Sequence, residues 1–149
     1  MVTDDDRGSR DPGSKQSRAR RIEPIPEATE RAATQVIDAA YSVHRALGPG
    51  LLESIYEACL VRELAKRRLA FRRQVEVPVI YDGVKLEAGL RLDLVVEGSV
   101  VVELKATDAI LPLHKAQLLS YLRLSGHRLG LLINFNVPVI KDGIRRIAL

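Results

Sequence analysis

Two short runs, Arg91-Leu92-Asp93-Leu94-Val95-Val96 and Val100-Val101-Val102-Glu103-Leu104-Lys105, joined by Glu97-Gly98-Ser99, decide how this chain folds. Side chains alternate across a strand, so the spacing predicts that Arg91, Asp93 and Val95 share one face and Leu92, Leu94 and Val96 the other. Glu103 and Lys105 likewise point together. A hairpin through Gly98 places Asp93 near Glu103, with Lys105 one step along. Val100 to Leu104 reads as a central strand buried on both faces, where an unpaired charge costs several kcal/mol. Two answers are open: an internal ion pair of Lys105 with Glu103 or Asp93, or a cation such as Mg²⁺, held by one or two carboxylates with waters and phosphate oxygens.

Working outward, Arg72 to Tyr81 is rich in Val and Ile, Asp82-Gly83 is a turn, and Val84 to Glu87 and Leu90 to Val96 continue as antiparallel strands. Downstream, Pro112 starts a helix that Gly126 closes, Leu129 to Asn134 is a buried strand, and Asp142-Gly143 turns the chain into an edge strand, Ile144 to Ile147. Upstream, Ala32, Ala33, Val36, Ile37, Ala40, Val43, Ala46 and Leu47 recur at helical spacing within Glu27 to Leu47. Gly48-Pro49-Gly50 breaks that helix, and Leu52, Ile55, Tyr56, Cys59, Leu60 and Leu64 restart the period to about Arg68. Two helices therefore precede a mixed sheet of four to five strands, an α/β (α+β) domain over residues 26–149. Residues 1–25 carry few large apolar groups and read as a disordered tail, with a solvated basic run at Lys15, Arg18, Arg20 and Arg21.

A chain of 149 residues, 46% apolar and 28% charged, has room for one core. The net charge of +4 tilts only weakly toward polyanionic partners. Cys59 is the single cysteine, which excludes an internal disulfide and a cysteine metal site, and a buried thiol is expected. His44, His114 and His127 lack zinc spacing; His44 reads as a helix-surface or packing residue. No apolar stretch is long enough to cross a bilayer and no signal peptide is visible, so a cytoplasmic location is expected. Phosphate-binding GxxxxGK[ST] loops and GxSxG elbows are absent from the sequence, which removes ATPase, kinase and esterase readings. Arg72, Arg73, Arg91, Lys115, Arg123 and Arg128 are the cations nearest the acidic run and the expected phosphate contacts.

Asp93 followed by Glu103-Leu104-Lys105 resembles the core of PD-(D/E)xK nucleases, and Gly50-Leu51-Leu52-Glu53-Ser54-Ile55-Tyr56 resembles the signature of the GxxExxY protein family. The resemblance runs from about Ala32 to the C-terminus and includes Gly48-Pro49-Gly50 and Leu131 to Pro138. It departs in one place, since Leu92 rather than Pro precedes Asp93. It implies a metal-dependent nuclease acting on DNA or, second, RNA, with Mg²⁺ or Mn²⁺ as cofactor. In that pattern Asp93 and Glu103 hold the ion, the Leu104 carbonyl adds a ligand, and Lys105 orients the attacking water. Glu53 has two readings, a helix-dipole residue in a first turn or a further metal ligand. His114, Gln117 and Tyr121 share one helix face; Gln117 and Tyr121 are similar to the supporting QxxxY pair of some branches, and Arg91, His114 and Lys115 are candidate nucleic-acid contacts. Tyr56 is expected to pack with a wet hydroxyl. The alternative is a non-catalytic nucleic-acid- or protein-binding module, and a homodimer or protein partner is compatible with either.

Overall fold

Small apolar residues on one stripe make the first helix a close-packing one. In α1 (Glu27–Leu47) the buried positions include Ala32, Ala33, Val36, Ala39, Ala40 and Val43, and Gly48 ends it with φ 65. The second helix, α2 (Glu53–Lys66), buries Tyr56, Leu60 and Leu64, one turn apart on a single face. The structure is a computed structural model that describes residues 21–149; the first twenty residues of the tail expected over 1–25 lie outside the described ones.

Five strands follow: β1 (Phe71–Tyr81), β2 (Val84–Val96), β3 (Val100–Lys105), β4 (Leu129–Asn134) and β5 (Ile144–Ala148), in the spatial order β1-β2-β3-β4-β5. Only the β3–β4 pair is parallel. A parallel step needs a crossover, and α3 (Pro112–Ser125) supplies it, starting on Pro112 and stopping at Gly126 in the left-handed conformation. The sheet is mixed, as expected from the sequence. Among the described residues no helix is long and apolar enough to cross a membrane.

Alternation along β3 divides the interior in two. Val100, Val102 and Leu104 pack with α1 and α2, together with Leu94, Val96, Leu131 and Phe135. Val101 packs on the opposite face with Leu118 and Leu122 of α3, together with Leu92, Val95 and Leu132.

That division corrects the expected faces of β2. Leu92 does not share a face with Leu94 and Val96 but lies in the α3-side core beside Val95. The alternation slips by one residue at Asp93, where the β1–β2 ladder pairs Arg73 with Leu94 and Val75 with Leu92 but omits Gln74 opposite Asp93. Gln74 there has φ 49, a left-handed backbone that twists the strand locally. A second correction concerns Val84 to Val96, which is one strand rather than two. Its irregular part is absorbed as a bulge opposite Pro78 to Ile80, and Gly89 fits because a Cβ would stand 2.7 Å from the Val77 carbonyl oxygen.

Two packing expectations also change, those for Cys59 and Tyr56, and the one for His44 resolves to its packing alternative. Cys59 is only partly buried. His44 is buried at 8% exposure, and its Nε2 donates to the Val137 carbonyl at 2.7 Å, which ties α1 to the loop after β4. The Tyr56 hydroxyl is not wet: the side chain is fully buried, stacked on Phe135 at 4.6 Å between ring centroids.

Candidate active site

The β2–β3 ladder runs from Val96↔Val100 to Leu94↔Val102 and there ends, so the strands part at the next pair, Asp93 and Glu103. Their side chains take over the backbone groups left open. Glu103 Oε1 accepts the Asp93 N–H at 3.2 Å, and Asp93 Oδ2 accepts the Leu104 N–H at 2.9 Å. Burial raises the pKa of Asp93, opposed by the Leu104 N–H. Burial and the adjacent Asp93 charge push Glu103 up to about 8. Two desolvated carboxyls side by side thus favour the protonated form of Glu103 at neutral pH.

Backbone geometry adds an oxygen to this opening. The N–H and C=O of one strand residue point the same way, so the Leu104 carbonyl turns toward β2, as its N–H does. The Lys105 carbonyl turns the other way and accepts the Phe135 N–H at 3.0 Å. Lys105 is half-buried, and its ammonium lowers the proton affinity of Asp93, Glu103 and Glu53. Among the described residues it makes no direct ion pair within 4.0 Å of a carboxylate, which removes the reading of this cluster as a closed internal salt bridge.

Helices approach the opening from both faces of the sheet. From α2, the Glu53 carboxyl has a raised pKa, through desolvation first and the Asp93 charge second. From α3, burial and then the Glu103 charge raise the pKa of Tyr121, whose hydroxyl accepts the Gln117 Nε2 amide at 2.8 Å and keeps its own proton to donate. The site is reachable from solvent, since Asp93 and Lys105 are partly exposed and Glu53 is exposed. No three acidic, histidine or cysteine side chains among the described residues converge on one point, so Glu53 does not complete a ready side-chain triad. Asp93, Glu103 and the Leu104 carbonyl are the protein oxygens at this opening that could hold a cation.

Two residues to which the sequence reading gave no role, Glu57 and Asn134, and one that it read only as packing, Tyr56, shape the site. Glu57, one turn beyond Glu53, accepts the Gln74 Nε2 amide at 3.1 Å and lies 3.6 Å from Arg73 Nε, and its charge raises the pKa of Asp93. Asn134, paired with Lys105 across β3–β4, is 1% exposed and fully used: Oδ1 accepts from Thr107 N–H at 3.1 Å and Asn136 N–H at 3.2 Å, and Nδ2 donates to the Thr107 carbonyl at 2.9 Å. Its one sequence signal is a lone amide ending an apolar strand. Tyr56 donates to the Gly48 carbonyl at 2.6 Å and accepts the Leu51 N–H at 3.2 Å, which fixes the turn that delivers Glu53.

The expected phosphate contacts fare unevenly. His114 Nδ1 accepts the Leu111 N–H at 3.0 Å as a helix cap, which leaves Nε2–H outward. Lys115, Arg123 and Arg72 are exposed. Arg91 lies 3.5 Å from Glu76, and Arg73 faces Glu57. Arg128 is not a groove cation: its guanidinium donates to the carbonyls of Pro24 at 3.2 Å, Leu149 at 3.4 Å and Glu23.

Residues 30–147 match the family model of the PD-(D/E)XK nuclease superfamily, whose members generally use divalent metals. Comparison with curated proteins and comparison with solved structures each return no match. The match spans most of the chain and contains both carboxylates, the lysine, four whole strands and all but the last residue of the fifth; this chain belongs to the PD-(D/E)XK nuclease superfamily.

Proposed function

We propose that the protein is a metal-dependent nuclease of the GxxExxY type that hydrolyses phosphodiester bonds, of DNA before RNA, with Mg²⁺ or Mn²⁺. The observation that carries this reading is the pairing of Asp93 and Glu103 at a solvent-reachable parting of β2 and β3, each carboxyl accepting a backbone N–H there, with Lys105 alongside. A pair of desolvated carboxyls, one of them holding a proton, suits a hard divalent ion, which Asp93 and Glu103 would hold on loss of that proton. Bound there, such an ion polarises the phosphoryl oxygen and acidifies a water.

The chain's own groups do the rest. Asp93 and Glu103, each anchored by a backbone N–H, present their remaining oxygens, and the Leu104 carbonyl adds a third. Lys105 orients the attacking water and offsets charge on the pentavalent phosphorus. Glu53, whose pKa the Asp93 charge helps to raise, would act on a bound ion through a water rather than as a direct ligand. Tyr121, braced by Gln117, donates its hydroxyl proton to a phosphate oxygen. His114 Nε2–H, Lys115 and Arg91 contact flanking phosphates.

The absence of a converged side-chain triad among the described residues favours a second reading, a non-catalytic nucleic-acid- or protein-binding module. Cleavage assays on single-stranded, duplex and branched DNA and on RNA, with Mg²⁺ or Mn²⁺, separate the two. Cleavage that Lys105→Ala reduces at least a hundredfold, on the order of an essential acid–base or charge-stabilising group, supports the nuclease. Equal behaviour of wild type and Lys105→Ala removes it.

A further inference from the structure

We infer that Glu57 is a positioning residue, which through Gln74 and Arg73 fixes the bend of β1 that sets where Asp93 stands. The inference rests on the metal reading of the site but assigns Glu57 no ligand role. Glu57 lies on α2 beyond Glu53, and its side chain is only 14% exposed, low for a carboxylate near a surface. Its Oε1 is taken by the Gln74 amide at 3.1 Å and faces Arg73 Nε at 3.6 Å. Both partners belong to β1, so the carboxylate clamps α2 to the edge strand.

The clamped point coincides with the irregularity that makes the site. Gln74 has the left-handed φ of 49, which an L side chain adopts at a cost unless contacts hold it there. It is the residue opposite Asp93 that the β1–β2 ladder omits, and it is where the face alternation of β2 slips. A straight β1 would pair Gln74 with Asp93 and return β2 to simple alternation. The Asp93 carboxyl would then leave the gap in which it accepts the Leu104 N–H. Glu57 therefore acts on Asp93 through the shape of β1, as outer groups orient the ligands of metal sites.

The test uses the full chain, with isothermal titration of Mn²⁺ alone and amide hydrogen exchange at Leu104, which reports the Asp93 contact without any metal. Glu57→Ala is expected to weaken Mn²⁺ binding about tenfold and to speed Leu104 exchange. Glu57→Gln, whose amide oxygen still accepts from Gln74, is expected to stay within about threefold of wild type on the same scale. Gln74→Ala keeps an L side chain at the left-handed position but loses the amide that Glu57 holds; it should match Glu57→Ala, and the double variant should be no worse than either. Unchanged Leu104 exchange in Glu57→Ala overturns the inference whether or not the protein binds Mn²⁺. Equal losses in Glu57→Gln and Glu57→Ala overturn it in favour of a ligand. If Glu57→Ala fails to fold, Gln74→Ala carries the same exchange test. A wild type that neither binds Mn²⁺ nor cleaves nucleic acid defeats the metal reading, while the exchange comparison still decides the role of Glu57.

Discussion

Glu103 concentrates the electrostatics of the site in one side chain. It is 7% exposed, stands against Asp93, and has its pKa raised from 4.5 to about 8. Between those two values the folded chain holds a proton that the unfolded chain has lost, so stability falls as pH rises across that window. The contribution is complete below the unfolded value and gone above the folded one. Asp93, also raised, acts in the same direction. The expected outcome is a cation-free melting temperature that declines from pH 5 to pH 8 in wild type and declines much less in Glu103→Gln; parallel curves would count against the assignment. Mn²⁺ affinity should rise over the same interval, because binding expels the proton that Glu103 holds, and calorimetry in buffers of different ionisation enthalpy reads that release. The meeting of Asp93 and Glu103 was legible in the sequence, since a tight turn at Gly98 and strict alternation put them opposite. The way they meet was not. It depends on Gln74, whose left-handed backbone no propensity of glutamine announces.

At the scale of elements, the Gly48-Pro49-Gly50 turn shows how a core residue serves the site. Tyr56 is buried against Phe135, and its hydroxyl holds the Gly48 carbonyl and the Leu51 N–H just before α2 begins at Glu53. Tyr56→Phe preserves the ring and strands both backbone groups, so a loss of about 1–3 kcal/mol is expected in chemical unfolding. Cleavage should fall with it, because Glu53 rides on that turn; unchanged stability would mean that water replaces the hydroxyl. On the other face, Leu118 of α3 is 1% exposed and lies over Gly130, where an added Cβ would come within 3.0 Å of it. Leu118→Ala should cost roughly 2–5 kcal/mol, and a denaturation midpoint close to wild type would show that α3 is not seated there. The sequence announced these helices through their period and stop signals. It hid the continuity of β2, because the Ala88-Gly89 pair that looks like a break is accommodated as a bulge.

For the molecule as a whole, charge decides how a nucleic acid would be held, and the fold redistributes the charges that the sequence offers. The net +4 counts every cation equally, yet three of the six expected contacts are already engaged. Arg128 is the clearest case: it joins Glu23 and Pro24 to Leu149, partners 104 and 105 residues upstream and 21 downstream. Contacts over such separations leave no local pattern, which is why the order of strands could be read from the chain and this role could not. The consequence is a split between two kinds of arginine and lysine. Lys115 and Arg123 stand exposed on α3, the helix that carries Gln117 and Tyr121. Replacing either with Ala should weaken binding to any duplex similarly and reduce the slope of log affinity against log salt by about one. Arg128→Ala should leave that slope unchanged and instead lower the melting temperature, since it strands carbonyls at both ends of the described chain. Fluorescence anisotropy over a salt series, run beside thermal melts, reads both quantities. If Arg128→Ala shifts the salt slope while Lys115→Ala and Arg123→Ala do not, nucleic acid must bind away from α3, and the placement of phosphates beside Tyr121 fails with it.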